Sequence, residues 1–130
     1  MNWKTVDIDE ISKAVIGAAI EVHRHLGPGL LESTYEHCLA HELSLRGIPF
    51  EQQKPCGVNY KGATLDIGYR LDLLVADRLI VELKSVKNLE PIHMAQTLSY
   101  LKLTDKRLAL LINFNVRLLK DGIKRIAHNL

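Results

Sequence analysis

Two carboxylates and a lysine stand out in the stretch from Arg70 to Lys84, Arg-Leu-Asp-Leu-Leu-Val-Ala-Asp-Arg-Leu-Ile-Val-Glu-Leu-Lys. Asp72 lies in one apolar run, Glu82 and Lys84 in the next, with a short polar turn between them. Ionised groups set among such apolar neighbours cost several kcal/mol unless they are paired or hold a metal. Side chains alternate faces along a strand, so Ile80, Glu82 and Lys84 share one face and Leu79, Val81 and Leu83 the other. On the first run the same rule sets Leu71, Leu73 and Val75 against Arg70, Asp72 and Leu74. If Val75 pairs with Leu79 across a three-residue loop, Asp72 faces Glu82 and Arg70 faces Lys84. A two-residue loop without a bulge would put Asp72 opposite Leu83 and part the carboxylates. We expect the odd-numbered loop or a bulge. Like charges directly opposed are destabilising, which points to a divalent cation between them. The alternative is a buried pair of one carboxylate with Lys84, on a sheet whose other face is the core.

The surrounding elements follow from caps, breakers and periodicity. Asp7 and Asp9 are candidate N-caps for a first helix with the apolar stripe Ile8, Ile11, Val15, Ala18, Ala19 and Val22, ending before Gly27-Pro28-Gly29. His23 and His25 are two apart on that helix and do not face one site. A second helix is expected from about Leu30 to Arg46, stopped by Gly47. Glu32 falls in its first turn, where the helix dipole alone accounts for an acid; a carboxylate aimed at a neighbouring sheet is the functional reading. Ile48–Tyr60, Thr64–Val75 and Leu79–Val86 read as three sequential strands in an antiparallel meander, the first irregular because of Pro49, Pro55 and Gly57. Pro91 opens a third helix, to about Leu103, on which Gln96 and Tyr100 share a face. Leu108–Phe114 is a strand, and Gly122–Ala127 a last short one.

Bulk composition sets the frame. With 130 residues, 47% hydrophobic and 25% charged, the chain reads as one domain over residues 1–130 with a proper core. A net charge of +2 does not announce a nucleic-acid binder, so any such partner rests on local placement of charge. Arg117, Lys120, Lys124, Arg125 and His128 crowd the C-terminal end as either a solvated surface or a phosphate-facing edge. Cys38 and Cys56 have no metal-ligand spacing, and Cys38 reads as a small core residue. The polar start does not resemble a signal peptide, and no apolar run approaches the roughly 18 residues that span a bilayer. A soluble cytoplasmic protein without a membrane partner is expected.

The element order is helix, helix, three strands, helix, strand and a final short strand. Without the first helix it is αβββαβ. Asp72 followed by Glu82-Leu83-Lys84 resembles the signature of the PD-(D/E)XK nuclease superfamily, whose core is a restriction-endonuclease-like αβββαβ fold of the α+β or α/β kind, a mixed sheet flanked by helices. Here an extra N-terminal helix would precede it. Gln96-Thr-Leu-Ser-Tyr100 resembles the QxxxY motif of the RecB-like exonuclease branch, and Gly29-Leu-Leu-Glu32-Ser-Thr-Tyr35 resembles the pattern of the small GxxExxY family. Leu71 stands where the superfamily has its proline. The four pieces, each weak alone, occur in order on the right kinds of element.

The resemblance implies a metal-dependent nuclease that hydrolyses phosphodiester bonds with water, using Mg2+ or Mn2+ and acting on nucleic acid, DNA favoured over RNA. It makes Asp72, Glu82 and the Leu83 carbonyl ligands, with Glu32 bound directly or through water. It gives Lys84 the attacking water and the developing charge, and gives Gln96 and Tyr100 the positioning of carboxylates or phosphate. A non-catalytic module that binds nucleic acid or protein on the same fold is the alternative, and a homo-oligomer or a protein partner is compatible with either.

Overall fold

The computed structural model describes all 130 residues. Asp7 caps α1 (Ile8–Leu26), its carboxylate accepting from the Asp9 amide at 2.8 Å, and Ile11, Val15, Ala18, Ala19 and Val22 form the buried stripe. α2 (Glu32–Leu45) buries Tyr35, Glu36, Leu39, Ala40 and Leu43. The strands that follow are β1 (Phe50–Pro55), β2 (Val58–Tyr60), β3 (Ala63–Leu65), β4 (Arg70–Val75) and β5 (Leu79–Lys84). Pro91 is the first residue of α3 (Pro91–Thr104), where its missing N–H costs nothing. β6 (Leu108–Asn113), a 3-10 turn at Leu119–Gly122 and β7 (Ile123–Ala127) complete the chain.

Five strands make one mixed sheet in the order β1-β4-β5-β6-β7, with β5 and β6 parallel and the other pairs antiparallel. α3 is the crossover that a parallel pair requires. The larger core lies between α1, α2 and one sheet face, where Leu79, Val81 and Leu83 meet Ile11, Val15, Leu39 and Leu43. The smaller one lies under α3, where Ile80 meets Leu74, Leu101 and Ala109. The split of β5 into Leu79, Val81 and Leu83 against Ile80 is the one its alternation predicts.

Two features depart from the expected meander. The long strand anticipated from Thr64 to Val75 is broken: β2 and β3 pair only with each other as a separate two-stranded hairpin. The break falls at Asp66–Tyr69, where Gly68 has φ +93 and donates to the Asp66 carboxylate at 3.2 Å. That turn is open to glycine and closed to a continuing strand. Secondly, Leu71 does not join Leu73 and Val75. It packs with Cys56, Leu74, Ile80 and Tyr100 under α3, while Leu73 and Val75 face α1 and α2. The alternation breaks at Asp72, opposite Gln53, whose backbone takes a left-handed φ of +49. A non-glycine residue in that region marks local strain held by its surroundings.

The loop before α2 is closed by Tyr35. Its hydroxyl donates to the Gly27 carbonyl at 2.6 Å and accepts from the Leu30 amide at 3.2 Å. Its ring, fully buried, stacks on Phe114 just past β6, with centroids 4.5 Å apart. Ser85, one residue past β5, donates to the Leu30 carbonyl at 2.6 Å, so the start of α2 is tied to the end of the strand carrying Glu82 and Lys84. Tyr35→Phe keeps the ring stack and loses the loop closure, so urea unfolding should show a loss of about 1–3 kcal/mol. Tyr35→Ala should cost about 3–5 kcal/mol, since it also opens a cavity. Equal losses in the two variants would contradict this division of labour.

Candidate active site at the splayed end of two strands

β4 and β5 pair with Val75 opposite Leu79, across a three-residue loop in which Ala76 and Asp77 both have positive φ. In that register Asp72 stands opposite Glu82. The backbone ladder runs only from Val75–Leu79 to Leu73–Val81. Beyond it, two amides are satisfied by side chains instead. The Asp72 amide donates to Glu82 Oε2 at 2.8 Å, and the Leu83 amide donates to Asp72 Oδ2 at 2.9 Å. Buried amides must find partners, and here each strand's carboxylate caps an amide of the other strand. These crossed bonds fix both carboxylates and leave Glu82 Oε1 without a hydrogen bond.

Glu82 is 6% exposed. Burial, and next the Asp72 carboxylate, push its carboxyl from the ordinary 4.5 up to about 8; the bond from the Asp72 amide and the charge of Lys84 pull the other way without prevailing. Below that value the lone chain therefore holds a proton on Glu82. Lys84 shares the Glu82 face of β5 by alternation, and no salt bridge or hydrogen bond engages its ammonium group. Nearby, burial raises the Tyr100 hydroxyl and the Cys56 thiol, with Glu82 the next cause in both cases. Cys56, and not Cys38, is the fully buried cysteine.

A third carboxylate reaches this cluster from α2, and it is Glu36. It is 9% exposed and accepts from Gln52 Nε2 at 3.1 Å and Gln53 Nε2 at 2.6 Å. The same Gln53 nitrogen lies 3.3 Å from Asp72 Oδ1, so one amide bridges two carboxylates. Glu32, singled out from sequence, is the first residue of α2; it is exposed and makes no hydrogen bond. Its neighbour one turn on occupies the buried position because the Tyr35–Phe114 stack sets how α2 is rolled against the sheet. The signal for Glu36 was its place on the stripe with Leu39 and Leu43; nothing in the sequence marked Gln52 or Gln53. On α3, Tyr100 is 7% exposed, while Gln96 is exposed and unbonded. A four-residue step overshoots a helical turn by about 40°, enough to put one inside and one outside the packed edge.

No three His, Cys, Asp or Glu side chains stand together in a way that would hold a metal ion. Asp72 and Glu82 are hard oxygen donors, and Glu82 is an anion only at a cost that a cation would offset. That set fits a hydrated cation such as magnesium, which keeps several of its waters.

The raised Glu82 value has a consequence for stability. Between about pH 4.5 and about pH 8 the folded chain carries a proton that the unfolded chain has lost. The Glu82 contribution to stability is therefore fully present below that window and is lost as pH rises through it. Urea unfolding in EDTA across this range should show that decline, and Glu82→Gln should remove most of it. An unchanged slope in the variant would mean that other groups govern the window.

A family model of the PD-(D/E)XK nuclease superfamily matches residues 9–126, which include both helix–sheet layers and every residue of the carboxylate cluster. Searches of curated proteins and of solved structures found no match. No helix is long and apolar enough to cross a membrane. With Asp72 and Glu82 opposed on adjacent strands, Lys84 on the glutamate's face and a match spanning nearly all of its length, the chain belongs to the PD-(D/E)XK nuclease superfamily.

Proposed function

We propose that this protein is a metal-dependent phosphodiesterase acting on nucleic acid, DNA in preference to RNA, and that Asp72, Glu82 and Lys84 carry the chemistry. The observation that supports the reading most is the crossed pair of hydrogen bonds holding the buried Glu82 carboxylate against the half-buried Asp72, with an unpaired lysine on the glutamate's face. Superfamily nucleases generally use divalent metals such as Mg2+. Asp72, Glu82 and the Leu83 carbonyl would hold Mg2+ or Mn2+, which when bound supplies charge neutralisation and a water of lowered pKa.

The chain's own groups do the rest. Lys84 orients the attacking water and offsets the negative charge that grows on the phosphoryl oxygens. Glu36 acts through Gln53, whose amide fixes the free oxygen of Asp72. Glu32, on the solvent side of α2, would serve the cation through a water. Tyr100 borders the carboxylates and Gln96 lies one turn away on α3, where they would meet a phosphate or its sugar. Burial of Glu82 keeps bulk water from screening these charges.

A second reading, a non-catalytic module that binds nucleic acid or protein, draws support from Gln53. Its amide satisfies Glu36 and Asp72 without any cation. Cleavage assays on single- and double-stranded DNA and RNA separate the two. With Mg2+ or Mn2+, wild type should cut, chelation should stop it, and Asp72→Asn, Glu82→Gln and Lys84→Met should each lose about a hundredfold or more. Glu36→Gln should lose less than Asp72→Asn. Undetectable cleavage by wild type would leave the binding module standing, and cleavage that needs no cation would contradict the metal-dependent reading.

A further inference from the structure

Beside the carboxylates, between the outer face of α3 and the β2–β3 hairpin, lies a groove of about 690 Å³. That is within the range, roughly 300–1,000 Å³, of sites that take small-molecule-sized groups. Val58 of β2 and, in the turn between β3 and β4, Ile67 and Tyr69 line one side, and Ile92 and Gln96 the helix side. Ile67 is 58%, Tyr69 43% and Ile92 68% exposed, so large apolar side chains are left open to solvent on both walls. The Tyr69 and Tyr100 rings meet edge to face, 6.1 Å apart. No Asp or Glu lines the groove; its titratable groups are His93, Lys102 and the two tyrosines.

These features select an occupant. The open Tyr69 ring, with the aliphatic Ile67 and Ile92 and the exposed Lys102 beside it and no carboxylate, suits a flat apolar ring on an anionic backbone, as an unpaired base offers. A duplex keeps its rings stacked inside and cannot present one here without flipping it out. The groove is also built onto the site: Tyr100 lines it and packs with Leu71, Leu74 and Ile80, the cluster flanking Asp72 and Glu82. Tyr69 is held there by the bond from the Cys56 amide to its carbonyl, 2.9 Å.

We infer that this groove receives an unpaired base next to the phosphodiester held at Asp72 and Glu82, so that the substrate class is single-stranded nucleic acid. The inference rests on the proposed function for its neighbour, yet it concerns binding and is tested without cleavage. Fluorescence anisotropy at low salt, once with Ca2+ and once with EDTA, measures binding of oligothymidylate and oligouridylate of about twelve nucleotides, and of a duplex of equal length. Wild type should prefer a single strand to the duplex. Tyr69→Ala should weaken single-strand binding by about ten- to a hundredfold, with Tyr69→Phe close to wild type. The thymidylate and uridylate arms tell DNA from RNA. Should Tyr69→Ala fail to fold, Ile67→Ser at the more exposed wall replaces it, with the same direction expected. Single-strand binding that Tyr69→Ala loses supports the groove even if no metal ever produces cleavage. Cleaving enzyme whose Tyr69→Ala variant binds single strands like wild type overturns the groove and leaves the phosphodiesterase. No single-strand binding, a preference for duplex, or a groove covered by a second copy in sedimentation also overturns it.

Discussion

Two backbone amides, at Asp72 and Leu83, govern the design of this molecule. They sit half-buried where β4 and β5 stop pairing, without a backbone partner across the two strands. A carboxylate from the opposite strand takes each one. The arrangement satisfies the amides and at the same time forces two acids into one another's field. Burial then makes the second negative charge costly, and Glu82 prefers a proton. A cation would meet the same need, and the strands already hold the oxygens that would bind it.

The layers around this point act to keep it in place. The α1 and α2 layer packs against Leu79, Val81 and Leu83, which fixes the strand whose other face carries Glu82 and Lys84. Tyr35 closes the loop before α2 and stacks on Phe114, and Ser85 ties that loop to the end of β5. On the other face, Leu71, Ile80 and Tyr100 form an apolar wall beside the buried Glu82. Gln53 pays for its left-handed backbone by donating to Glu36 and Asp72 together. The candidate site lies at the one end of the sheet where local pairing rules are broken.

Much of this was readable from the sequence, and the exceptions have causes. The three-residue loop between Val75 and Leu79 put Asp72 against Glu82, because a two-residue period leaves few registers open to strands this apolar. Pro91, Asp7 and the Gly27-Pro28-Gly29 breaker marked helix ends through backbone rules that hold locally. The placing of Leu71 was misread, since it follows from a positive φ at Gln53 that no glycine announces. Glu36 was passed over for Glu32 because the two are one turn apart, and only the contact of Tyr35 with a ring beyond β6 decides which turns inward. The sequence reads β2 as the end of the strand Ile48–Tyr60 and β3 as the start of Thr64–Val75, because nothing local shows that the two short segments pair only with each other.

On this reading Glu82, buried beside the half-buried Asp72, exchanges its proton for a divalent cation. Calorimetric titration of Mg2+ or Mn2+ into wild type and Glu82→Ala, at about pH 7 in two buffers of different ionisation enthalpy, tests it most directly. Wild type should bind saturably with release of close to one proton, and Glu82→Ala should do neither. Binding that releases no proton, or that survives in Glu82→Ala, would contradict it, as would no binding by wild type.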